Sequence, residues 1–100
     1  MPIFDIAFRP RAARAFEKLG TSEKRQFARK LAERRHNPRV PGDAVREIPD
    51  AYKIKLRSAG LRLVYQVQDG AMVILVLSVG KREGEKAYKD AIREYLKRDE

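Results

Sequence analysis

The sequence predicts an α+β domain in the order β-α-α-β-β-β-α, a mainly antiparallel sheet packed by helices. Three observations carry that reading. Apolar residues alternate over residues 3–8, then recur at helical spacing from Arg11 to Arg35 and again after Glu85. Between the helical stretches lie three strand-like runs, separated by Ala59-Gly60 and Asp69-Gly70. Residues 72–77 are apolar at every position, the pattern of a strand covered on both faces and therefore central in its sheet.

Taken in order, Phe4, Ile6 and Phe8 fall on one side of the opening strand and Asp5 on the other, as in a half-buried strand. Ala12, Phe16 and Leu19 stand at i, i+4 and i+7, and Gly20 follows where a helix C-cap is expected. Ser22 and Glu23 suit the N-cap and first turn of a second helix, whose apolar stripe is Phe27 and Leu31 and which Asn37-Pro38 stops near Arg35. Residues 37–50 hold three prolines and a glycine and read as an irregular surface loop. Strands are expected over residues 51–57, 61–67 and 72–79, then a basic loop over 80–84. The last helix is expected over residues 85–98, with Tyr88, Ile92 and Tyr95 near one face and Ala91 beside them.

One hundred residues suit one domain, residues 1–100, with a single core. No apolar run reaches the roughly 20 residues needed to cross a bilayer, so a soluble protein with no membrane partner is expected. Met1-Pro2-Ile3-Phe4 shows no secretory pattern, which makes the cytoplasm the expected location. With no cysteine, disulfides and thiolate ligands are excluded. A lone His36, at a helix end where a cation suits the dipole, makes neither a histidine metal site nor an acid–base pair. Neither a metal nor another cofactor is expected. Lys and Arg number 23 against 14 acidic residues, a net charge of +9 and a pI near 10.2. For so small a domain, that charge points to a polyanion or an acidic protein as partner.

Hairpin register decides where the cations go. With Ser58 paired to Leu61 across Ala59-Gly60, Arg62 lies opposite Arg57, Val64 opposite Lys55 and Gln66 opposite Lys53, all on one face. Tyr52, Ile54 and Leu56 then join Leu61, Leu63, Tyr65 and Val67 on the apolar face, where the tyrosines read as core. A slip of one residue would drive Arg62 into that face, so the hydrophobic pattern selects this arrangement. Like charges directly opposed cost a fraction of a kcal/mol or more. A phosphate-binding surface accounts for their retention.

The run Tyr52-Lys53-Ile54-Lys55-Leu56-Arg57-Ser58-Ala59-Gly60-Leu61-Arg62-Leu63-Val64-Tyr65, followed by Ser78-Val79-Gly80-Lys81-Arg82-Glu83 and by Tyr88 on the final helix, resembles the RelE family of bacterial and archaeal toxins. The likeness covers nearly the whole chain and implies a RelE-like fold of the microbial-ribonuclease type. It implies a ribosome-dependent endoribonuclease that cleaves mRNA in the ribosomal A site and is neutralised by an acidic, RelB-like antitoxin. Operator DNA would be a partner only through the toxin–antitoxin complex. The residues that match the family's active set are Lys53, Lys55, Arg62, Arg82 and Tyr88. Leu61 stands where relatives can carry tyrosine, a departure beside that set.

Metal-free RNA cleavage proceeds by attack of a 2′-hydroxyl on the adjacent phosphorus, which needs a base, charge stabilisation and an acid for the departing 5′-oxygen. Lysine, with a pKa of about 10.4, is a poor base at neutral pH. Crowding by like charges favours the neutral amine, which makes Lys55, central in the cluster, the candidate base. Lys53 and Arg62 are the candidates to hold the phosphate. Resemblance, more than chemistry, makes Arg82 the proton donor, since arginine more readily stabilises charge. Tyr88 either stacks on a base or packs with Ile92 and Tyr95. Lys81 competes with Arg82 for the phosphate, and Arg57 extends the cationic face.

Arg25, Arg29, Lys30, Arg34 and Arg35 form a basic side on the second helix, joined by Arg9, Arg11 and Arg14 from the first. Such a run is either a solvated face or a grip on ribosomal RNA phosphates, the latter weakening steeply with salt. The alternative function is that of a ParE-like toxin, which shares the general fold but acts by binding DNA gyrase and is not expected to need the active set.

Overall fold

Four strands, β1 (Asp5–Phe8), β2 (Ala51–Leu56), β3 (Leu61–Gln68) and β4 (Val73–Lys81), form one sheet in the order β1-β4-β3-β2. The computed structural model describes residues 3–97. β4 lies inside the sheet, as its unbroken apolar run predicts, parallel to β1 and antiparallel to β3. The parallel β1–β4 pair joins the ends of the chain's order, which no local pattern encodes.

Helices α1 (Pro10–Glu17) and α2 (Thr21–Arg34) cover one face of the sheet, and α3 (Lys86–Leu96) covers the other. On the first face, Ala12, Phe27 and Leu31 pack with Ile54, Leu63, Tyr65, Ile74 and Val76. On the second, Ala91 of α3 packs with Val64, Leu77 and Ala51, and Val45 and Ile48 of the preceding loop close the cluster. Each fully buried aliphatic side chain contributes roughly 1.5–3 kcal/mol of transfer free energy. Both clusters stand on the same two central strands.

Pro10 opens α1 at its first turn, where a missing N–H costs nothing. The expected C-cap at Gly20 is corrected. Gly20 has φ −67° and is the N-cap of α2, which begins at Thr21 rather than after Ser22. α1 ends earlier, with Lys18 as its C-cap, and Gly20 takes the extended backbone of an N-cap at ψ 162°. The buried stripe of α3 is Ala87, Ala91 and Glu94, with Tyr88 and Ile92 beside it. Tyr95, expected near that face, is 36% exposed. Arg98, expected in the last helix, lies outside the described residues.

The hairpin register also differs from expectation. Leu56 pairs with Leu61, Lys55 with Arg62 and Lys53 with Val64. The turn is four residues, a 3₁₀ turn Arg57–Ala59 closed by Gly60 at φ 65°, in place of two residues. Arg57 therefore leaves the strand and is not opposite Arg62. A shift of two residues preserves which face each side chain takes, so the cations still share one side. At the β3–β4 turn, Met72 carries the positive φ of 53° rather than Gly70. One irregularity shapes the α3 face. Val64 pairs with Ser78 but Tyr65 with Val76, so Leu77 is an extra residue in β4. Leu77 and Ser78 both serve α3, the first in its apolar cluster and the second by donating its hydroxyl to the Ala87 carbonyl at 2.7 Å.

Candidate active site

β2 is an edge strand, and alternation along it sends Lys53 and Lys55 to the α3 side of the sheet. Lys55 and Arg62 are direct cross-strand partners, so their side chains leave the sheet on the same face. Arg62 is 6% exposed. Its Nη1 donates to the Leu61 carbonyl at 2.8 Å, and its Nε is buried without a hydrogen-bond partner. A buried unsatisfied donor costs about 1–3 kcal/mol, more when charged.

Lys53 and Tyr88 line one cleft with Val45, Glu85, Lys89 and Ile92. Tyr88 also packs against the cluster built on Val64, Leu77 and Ala91, so its packing and its place in a cleft coexist. Lys55 lines a second cleft at the outer edge of β2, with Lys30, Arg34, Asp43 and Arg57. The candidate set is therefore divided: Lys53 with Tyr88 and Lys55 with Asp43 occupy two clefts, Lys55 lying on an edge strand with an acid beyond it. Arg82 is exposed and joined to the hairpin through its backbone, its N–H donating to Gly60 O at 2.9 Å. Its loop turns sharply into α3 through Gly84 and Glu85, at φ 64° and 56°. Glu85, a non-glycine residue held left-handed beside the cleft, stores backbone strain there. Lys81 pairs with Leu61 at the strand end and is exposed.

Asp43 was not foreseen. It ends the 3₁₀ turn Pro41–Asp43, and its Oδ1 lies 3.3 Å from Lys55 Nζ while Oδ2 lies 2.9 Å from Arg34 Nη2. The expectation that cations alone surround Lys55 is thereby corrected. No pattern in the sequence marks Asp43, since it lies in a proline-rich loop whose path only tertiary packing decides.

Arg34 was expected to grip RNA from the basic side of α2. Its side chain is 15% exposed and fully engaged: Nη1 donates to Tyr65 Oη at 2.8 Å and to the Lys53 carbonyl at 3.3 Å, and Nη2 meets Asp43. It is a clamp between α2 and the sheet. The Tyr65 hydroxyl donates in turn to the Pro38 carbonyl at 2.6 Å, and burial pushes its pKa up against the opposing pull of Arg34. Arg35 is likewise half-committed, its Nε donating to Phe4 O at 2.7 Å. Arg25, Arg29 and Lys30 are exposed, as a phosphate-binding face requires. Away from the site, Arg39 grips Asp69 bidentately at 2.7 and 3.2 Å and reaches Asp50 at 3.4 Å. That hydrogen bonding holds the Asp69 carboxyl below its ordinary range and the guanidinium above its own.

A family model described as the ParE toxin of type II toxin–antitoxin systems matches residues 6–86. The mRNA interferase toxin RelE of Escherichia coli (strain K12) is 46% identical over 91 residues, spanning 91% of this chain and 96% of that protein. The chain belongs to the RelE family of the RelE/ParE toxins. Its fold agrees. A free-state structure of an E. coli RelE variant with two arginines changed to alanine aligns with a TM-score of 0.87 at 42% identity, covering 94% of this chain and 99% of that one. The RelE of the intact E. coli RelBE toxin–antitoxin complex aligns with a TM-score of 0.76 at 46% identity, covering 78% of this chain and 95% of that one. The RelE-family fold thus sets an edge strand, its hairpin partner and the last helix around the candidate residues. Among the described residues no helix is long and apolar enough to cross a membrane.

Proposed function

We propose that this protein is an mRNA interferase, an endoribonuclease that cuts mRNA in the ribosomal A site and is neutralised by an acidic RelB-like antitoxin. The observation that carries the reading is the direct pairing of Lys55 with Arg62, on the face where Lys53 and Tyr88 line one cleft. Two like charges opposed across a hairpin, one of them buried with an orphaned donor, suit a surface completed by a phosphate.

In this reading the 2′-oxygen attacks the neighbouring phosphorus, the bond to the 5′-oxygen breaks, and a 2′,3′-cyclic phosphate and a 5′-hydroxyl result. Lys55 is the candidate base that takes the 2′-hydroxyl proton. Arg62 and Lys53 stabilise the charge that grows on the pentacoordinate phosphate. Arg82 delivers the proton or its charge to the departing oxygen, with Lys81 beside it. Tyr88 stacks on a base and holds the linkage in line. Lysine and arginine are weak acid–base catalysts at neutral pH, so alignment must supply much of the rate, and imposed geometry contributes on the order of 7–11 kcal/mol. That is the physical reason for dependence on the ribosome. Arg25, Arg29, Lys30 and Arg57 contact ribosomal RNA phosphates, with the salt dependence that counterion release entails.

The test compares wild type with Lys55→Ala, Arg82→Ala and Tyr88→Ala for A-site cleavage and arrest of translation. All three should lose cleavage, and preserved toxicity in all three would overturn the reading. A ParE-like toxin acting on gyrase would give that second result; 46% identity to an mRNA interferase weighs against it.

A further inference from the structure

Lys55 extends from the outermost strand of the sheet, with a β-partner on one side only. Arg62 stands opposite and repels it, so sheet geometry alone would leave a four-carbon side chain free to wander outward. Asp43 prevents that. One carboxylate oxygen takes Lys55 Nζ at 3.3 Å and the other takes Arg34 at 2.9 Å. The anchor is itself rigid, because Arg34 also holds Tyr65 Oη and the Lys53 carbonyl, and Tyr65 is fully buried and tied to Pro38. A continuous chain of contacts therefore runs from the core to the amine: Tyr65, Arg34, Asp43, Lys55.

We propose that Asp43 is a positioning residue for Lys55 in the cleavage reaction, an inference that rests on the assignment of Lys55 above. A lysine amine has hydrogens to spare. The ion pair with Asp43 Oδ1 at 3.3 Å fixes where the nitrogen sits and leaves the amine open to RNA. Nucleophile–base pairs commonly rely on a third group to orient the base, and Asp43 fills that place here. Arg34 makes the arrangement durable, since the carboxylate cannot turn away from Lys55 without also abandoning the clamp.

The test is a double-mutant cycle on single-turnover mRNA cleavage by programmed ribosomes with a vacant A site, using Asp43→Ala, Lys55→Ala and the pair. Misplacement of a catalytic group by about 1 Å can cost on the order of 100-fold, so Asp43→Ala is expected to lower the saturating rate roughly 10- to 100-fold. The toxin concentration giving half-maximal rate should change little. In the Lys55→Ala background the Asp43 substitution should have no further effect on the rate. Asp43→Asn, which keeps the volume and one acceptor oxygen, serves if the alanine variant melts too low, and should show a smaller loss that also vanishes without Lys55. Wild-type rates in Asp43→Ala, or losses that multiply in the pair, overturn the positioning role while leaving Lys55 in place. Full cleavage by Lys55→Ala overturns the assignment of Lys55 and the positioning role with it.

Discussion

Lys55 of β2 and Arg62 of β3 face each other directly across the hairpin, two cations with no acid between them in the strand pair. Arg62 is buried and its Nε has no hydrogen-bond partner. Stability alone would select a long apolar side chain at this position, as buried charges are often replaced by hydrophobic ones without loss. Arg62→Met should hold or raise the unfolding free energy, by about 1 kcal/mol, in urea titrations. The same variant should lose roughly 100-fold or more in cleavage rate. A marked fall in stability would show that Arg62 serves the fold.

Tyr65→Phe tests the clamp beneath the site. It deletes the hydroxyl that donates to Pro38 and accepts from Arg34, and should cost about 1–3 kcal/mol by leaving buried groups unpaired. It also carries a pH signature. Burial raises the Tyr65 pKa, so the neutral phenol is favoured in the folded state. That contribution is fully present below the unfolded value of about 10 and is lost as pH rises through the raised one. Wild-type stability should fall in that alkaline window and the fall should be smaller in Tyr65→Phe, measured by denaturant midpoints from neutral to alkaline pH.

Much of this architecture is written in periodicity. Alternation marks β1, an unbroken apolar run marks β4 as central, and helical spacing marks α1, α2 and α3, because burial on one or two faces dictates each pattern. The face of the hairpin residues that stay in the strands was legible although the register was not, since the four-residue turn through Gly60 takes Arg57 out of the strand, shifts the pairing by two and leaves the sidedness of the rest intact. Three features are not local and left no mark. The β1–β4 pairing joins distant strands, the extra residue Leu77 answers to α3 packing, and Asp43 reaches Lys55 only because its loop folds back against the edge of β2. Arg34 misleads for a related reason: one more cation on a basic helix looks like its neighbours until Tyr65 and Asp43 are seen around it.

The Arg39–Asp69 clasp ties the proline-rich loop to the β3–β4 turn at the exposed surface. The Arg39 hydrogen bonds hold the Asp69 pKa below its ordinary value, so the linkage runs opposite to that of Tyr65. Its contribution is present above the unfolded carboxylate pKa of about 3.9 and is lost as pH falls through the depressed folded value. Asp69→Asn should flatten this part of the acid-unfolding curve and reduce its dependence on salt. An unchanged acid limb would show that the clasp contributes nothing in solution.

Helix α3 lies close to the sheet because Ala87 and Ala91 are small and fully buried. Ala91→Leu should overpack this contact at a cost of about 1–3 kcal/mol and push α3 outward, carrying Tyr88 with it. Cleavage should then fall further than the loss of folded protein explains, read as rate per mole of native toxin. A rate unchanged on that basis would show that the placement of Tyr88 by α3 is irrelevant to catalysis.

The central claim is that this cationic cluster cuts RNA when the ribosome aligns the linkage. The most direct measurement maps 5′ ends by primer extension on one mRNA, free and in ribosomes stalled with a vacant A site, with equal toxin in both. Cleavage within the A-site codon on ribosomes and negligible cleavage of the free RNA is the predicted result. Equal rates on the two would contradict alignment by the ribosome, and the absence of a cut on either would contradict the nuclease reading itself.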